Sequence, residues 1–67
     1  VKLCPKTLRS VAKELRASAK WRRRLARDDA RKYHAYGSAA VWAAEAEALD
    51  LFATHFEGQA KAAEKKK

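Results

Sequence analysis

Residues 33–42 read Tyr33-His34-Ala35-Tyr36-Gly37-Ser38-Ala39-Ala40-Val41-Trp42, and the pair Gly37-Ser38 decides the fold. Glycine takes the left-handed conformation freely and is the usual residue just past a helix C-terminus. Serine is a favoured N-cap for the helix that follows. The pair therefore predicts a tight connection between two antiparallel helices. The competing reading is one unbroken helix with an interior glycine, at a cost of about 1 kcal/mol relative to alanine.

Both flanks of this pair are rich in helix formers. Ala, Leu, Arg, Lys and Glu dominate, Val and Thr together number five, and no stretch alternates apolar and polar with the period of a strand. Pro5 fits a first helical position, where its missing N–H costs nothing, with Thr7 as a competing N-cap. The expected fold class is all-α: an antiparallel two-helix hairpin within residues 1–60, helix 1 over about 5–36 and helix 2 over about 38–57. Gly58 is a candidate C-cap of helix 2, although the apolar register continues beyond it through Ala60 and Ala63, and residues 61–67 read as a basic, frayed tail.

Helical periodicity supports the pairing. On helix 1, Leu8, Val11, Ala12, Leu15, Ala19, Ala26, Ala30 and Tyr33 share a face; on helix 2, Trp42, Ala46, Leu49, Ala53, Phe56, Ala60 and Ala63 do, with Phe52 on the flank. Folding at Gly37-Ser38 sets Tyr33 against Trp42, Ala26 against Leu49 and Ala19 against Phe56, so large faces small. The charges follow the same register: Arg9 with Glu64, Arg16 with Glu57, Arg23 with Asp50 and Arg27 with Glu47. Exposed pairs contribute only about 0–1 kcal/mol each, so they select the partner more than they stabilise it.

Sixteen of the 67 residues are alanine, and a chain this short rarely builds a self-sufficient core. Large side chains are left at the seam edges, which predicts self-association into a four-helix bundle through Tyr33, Trp42, Leu49, Phe52 and Phe56. One cysteine excludes an intrachain disulfide. The longest apolar run, Ala39 to Ala44, is far too short to span a bilayer, and no apolar signal segment follows Lys2. The expected location is cytoplasmic or intracellular.

Charge is the strongest functional signal. Residues 1–36 hold twelve Lys/Arg and three Asp/Glu, against four and five in residues 37–67, for the net +8 of the chain. Lys2, Lys6, Arg9, Lys13, Arg16, Lys20, Arg23, Arg24, Arg27 and Arg31 follow at steps of three and four, a stripe roughly 43 Å long. Such repulsion is costly on a solvated helix. A rod of this kind suits a phosphate backbone, DNA or RNA, with Lys6, Lys13, Lys20, Arg22, Arg24 and Arg31 as contacts and Trp21 as a stacking aromatic. The alternative is an acidic protein surface, met by a small adaptor, inhibitor or subunit of a larger complex. A membrane-surface helix would oppose its cations with a bulky apolar face, where this chain has mostly alanine.

Chemistry is weakly represented. Cys4 lacks a positioned base, His34 and His55 are 21 residues apart without metal-ligand spacing, and Asp28-Asp29 is spaced for surface ion pairs with Arg24 and Lys32. No phosphate loop or nucleophile motif occurs. The expectation is a non-enzymatic protein with no metal and no cofactor. The pattern Leu8-x-x-Val11-Ala12-x-x-Leu15-Arg16, with Tyr33-x-x-Tyr36-Gly37-x-Ala39 after it, resembles short helical reading frames of phages and high-GC bacteria, a likeness that implies no functional residue.

Overall fold

A computed structural model describes residues 3–65, which form two helices, α1 (Pro5–Arg31) and α2 (Tyr36–Lys65), packed side by side as an antiparallel hairpin. Among the described residues there is no strand. The molecule is a thin rod, 51 × 18 × 13 Å. Cys4 caps α1 in an extended conformation and accepts the Leu8 N–H at 3.0 Å, with Pro5 opening the helix. The pyrrolidine ring supplies a ready-made helical φ there, so the competing cap at Thr7 is not used.

The connection lies at residues 32–35, not at Gly37-Ser38. Lys32 still has helical angles and donates its N–H to the Asp28 carbonyl at 2.8 Å. His34 then takes the left-handed conformation, φ 54°, and the Ala35 N–H returns to the Asp29 carbonyl at 2.8 Å. Histidine visits this region more readily than most non-glycine residues. Ala35 opens α2 by accepting the Ala39 N–H at 2.9 Å. Ser38 lies inside the first turn of α2, and its hydroxyl donates to the Asp29 carboxylate at 2.7 Å. Asp29 thus fastens the connection twice, through its carbonyl and through its side chain. These bonds offset the αL cost of roughly 1–2 kcal/mol at His34.

Gly58 does not end α2. The helix continues to Lys65, so the described part of the expected frayed tail, 61–65, is helical. Lys66 and Lys67 lie outside the described residues.

The core is built of methyl groups. Ala12 and Ala19 on α1 and Ala46, Ala53 and Ala60 on α2 are all 0% exposed, joined among the described residues only by Leu8. They recur every seven residues, the spacing that keeps one seam facing its partner in shallow left-handed packing. The short connection and the Asp29–Ser38 and Arg22–Glu45 contacts set the register, so Ala12 comes level with Phe56, Ala19 with Leu49 and Ala53 with Leu15. Large stands level with small, as expected, but about one heptad from the expected pairs, because the turn closes ahead of Gly37. The fully buried positions are alanine, which favours the lower end of the usual 8–10 Å separation. Leu15, Leu25, Trp42, Leu49 and Phe56 are half-buried along one side of the seam. Tyr33 does not pack on Trp42; it lies in the connection and is 71% exposed. Five buried methyls contribute roughly 4 kcal/mol at about 0.8 kcal/mol per carbon, a small reserve for 67 residues.

Candidate nucleic-acid interface

The seven-residue repeat sorts the side chains of α1 into rows. The row bordering the alanine seam on one side is Arg9, Arg16 and Arg23, and α2 answers it with Glu64, Glu57 and Asp50. Arg9 pairs with Glu64, and Arg16 pairs with Glu57 through two guanidinium nitrogens, one of them Nε at 3.3 Å. Arg23 Nη2 lies 2.5 Å from Asp50 Oδ2, and Arg16 also reaches Asp50 at 3.6 Å and donates to the Thr54 hydroxyl at 3.2 Å. Their mutual attraction holds the Glu57 carboxyl below its ordinary value and raises both Arg16 and Arg9, the hydrogen bond being the largest cause in each case.

The next row outward is Lys6, Lys13, Lys20 and Arg27. All four are exposed, and none pairs with an acid among the described residues. Arg24 and Arg31, a further step around the helix, are likewise exposed and unpaired among them. The expected pairs Arg27–Glu47, Arg24–Asp28 and Asp28–Lys32 are not formed. Lys6 to Arg27 covers roughly 31 Å of helix, with a cation about every 10.5 Å. Near the start of α1, Lys6, Arg9, Ser10 and Lys13 line an open groove of about 530 Å³, with Glu64 on its far wall.

Trp21 and Arg22 are turned away from this row. Trp21 meets Trp42 edge-on, ring centroids 5.8 Å apart at 75°, and the Arg22 guanidinium lies 5.7 Å from the Trp21 ring centroid. Arg22 pairs with Glu45, Nε to Oε2 at 3.1 Å, and donates to the Ser18 hydroxyl. Its charge is thus already satisfied on the opposite side of the hairpin, and Trp21, 53% exposed, flanks the lysines without joining them. Of the seven contacts expected from sequence, five share the outward surface: Lys6, Lys13, Lys20, Arg24 and Arg31. Arg27 belongs with them; its seven-residue spacing from Lys20 is the signal that identifies it, over the nominal match to Glu47.

The apolar residues expected at an interface divide in the same way. Trp42, Leu49 and Phe56 form one half-buried row on α2, with Phe52 beside it at 57% exposure. They face the side opposite the lysines. His34 sits in the connection with its Nδ1 3.3 Å from the Tyr36 hydroxyl, while His55 accepts from Gln59 at 3.1 Å. Among the described residues no cluster of His, Cys, Asp and Glu could hold a metal ion. Cys4 is exposed; the Thr7 hydroxyl, 3.1 Å from its sulfur, holds the thiol below its ordinary value, and the amides of the first turn act in the same direction. No helix is long and apolar enough to cross a membrane among the described residues. Compared with known proteins, the chain matches no family model, no curated protein and no solved structure.

Proposed function

We propose that this chain is a small non-enzymatic intracellular protein that binds nucleic acid through its phosphate backbone, with Lys6, Lys13, Lys20, Arg24, Arg27 and Arg31 as the contacts. One observation carries the reading: α2 neutralises the inner arginine row and leaves the adjacent outer row exposed and, among the described residues, without an acidic partner. A helix pair that needed charge only for its own register has no use for the second row. Side chains standing on a straight rod track a charged backbone and gain from counterion release. They carry no fork of donors placed for a base edge, so recognition is by charge and shape, with little sequence preference.

Fluorescence anisotropy with labelled DNA and RNA across a salt series tests this. Six phosphate contacts give a slope of log affinity against log salt of roughly −5 on duplex DNA. Lys13→Glu, Lys20→Glu and Arg27→Glu each flatten the slope by about one contact and weaken all sequences alike. Arg22→Gln leaves the slope unchanged, because that guanidinium is held by Glu45. A slope near zero, or an equal loss from Arg22→Gln, overturns the proposal. Saturable binding to an acidic protein that depends on Trp21 and Phe52, with no saturable nucleic-acid binding, replaces it with the adaptor reading.

A further inference from the structure

The hairpin has two unlike broad faces, because the alanine seam divides each helix into an ion-pair side and an apolar side. We infer that the apolar face is the docking surface for a second copy of this chain, and that the resulting four-helix particle bridges two nucleic-acid segments. The face is made of Val11, Leu15 and Leu25 from α1 and Trp42, Leu49, Phe52 and Phe56 from α2, half-buried or exposed in the single hairpin.

Charge selects the occupant. Two chains of net +8 repel wherever their lysine rows meet. Between Leu8 and Leu25 on α1 and between Trp42 and Phe56 on α2, the rows of this face carry one cation and one anion, Arg22 and Glu45, already paired at 3.1 Å. It is the neutral approach open to a second copy, and it offers an acidic partner no free cation. An ion pair within an apolar surface also fixes register once covered, since its partners cannot be stripped apart in a low dielectric.

Area sets the strength. From Leu8 to Leu25 the face is roughly 26 Å long, and the hairpin is 18 Å wide. Two copies cover roughly 900–1,000 Å² before side-chain relief is counted, below the ~1,200 Å² of standard interfaces and in the range of weak, reversible ones. A two-fold pairing uses the same surface on both copies. It leaves each lysine row on the outside, pointing in opposite directions. The bridging step rests on the phosphate-contact reading above; the dimer does not.

Sedimentation equilibrium at micromolar concentration, on the wild type and on Phe52→Glu and Leu51→Glu, tests the dimer. Leu51 is 67% exposed and lies off the apolar face, so its variant controls for added charge. The expected result is a dimer for wild type and Leu51→Glu, and at least a tenfold weaker dimer for Phe52→Glu with helicity retained. A wild-type monomer, or equal effects of the two variants, overturns the inference, and the wild-type result decides even if Phe52→Glu does not fold. Capture of a free labelled duplex by a bead-tethered duplex tests bridging. Wild type captures; Phe52→Glu binds but does not capture. A dimer that binds without capturing refutes the outward arrangement, whereas a dimer without anisotropy change refutes the phosphate reading alone.

Discussion

Replacing Ala53 by leucine asks whether the methyl seam is what lets these helices pair. Ala53 is 0% exposed, with Ala46 and Ala60 one heptad to either side, also fully buried. Leucine adds three carbons where no space is open. Overpacking of this kind costs about 1–3 kcal/mol, and the cost falls at the upper end because forcing the helices apart also uncovers the neighbouring alanines. A chain of this length has a total stability of roughly 3–10 kcal/mol. A loss of about 2–3 kcal/mol therefore lowers the melting temperature by roughly 8–20 °C. Thermal melts by far-UV circular dichroism at matched concentration measure it, with Ala44→Leu, at an exposed position of the same helix, as the control that stays within a few degrees. If Ala53→Leu melts at or above the wild type, side-chain size at the seam does not limit helix approach and the packing argument is wrong.

Two further outcomes follow from particular residues. Gly58 lies inside α2 and a Cβ built there meets nothing within 4 Å, so Gly58→Ala stabilises by about 0.5–1 kcal/mol; a lower melting temperature would mean that the helix stops near residue 58. The Glu57 carboxyl is held below 4.5 by Arg16, so its stabilisation is fully present above the unfolded-state value and is lost as pH falls through the lower folded value. Glu57→Gln should accordingly flatten the fall in melting temperature between about pH 5 and about pH 3, and an unchanged acid limb would show that the pair contributes nothing in solution.

The hairpin was legible in the sequence because helical periodicity and the seven-spaced arginines and acids agree on one antiparallel register. Arg9, Arg16 and Arg23 find the partners their spacing assigns. The connection was legible only to within a few residues. Glycine is the strongest local marker of a helix end, but here a histidine takes the left-handed angle, and Asp29 supplies both the carbonyl and the carboxylate that seal the turn. Those bonds span six and nine residues, beyond what a capping rule reads. The core was misjudged in register: large was expected against small, and those layers fall about one heptad from the expected pairs because the turn closes at 32–35 and not at Gly37-Ser38. In the candidate site, Lys6, Lys13, Lys20, Arg24 and Arg31 could be read from position on the helix. Arg22 could not, because its neutralisation depends on how Glu45 rises from the other helix.

The alanine seam and the charge rows share one period, and this makes the pairing a vernier with more than one coincidence. A slip of seven residues returns each alanine to the seam and again sets arginine against an acid. Arg16 already shows both positions at once, bound to Glu57 and within 3.6 Å of Asp50. What breaks the degeneracy occurs once only: the Asp29–Ser38 fastening, the Arg22–Glu45 pair and the Trp21–Trp42 contact. Cut at the connection, the two helices would lose one of these three marks, and alignments a heptad apart would draw closer in energy.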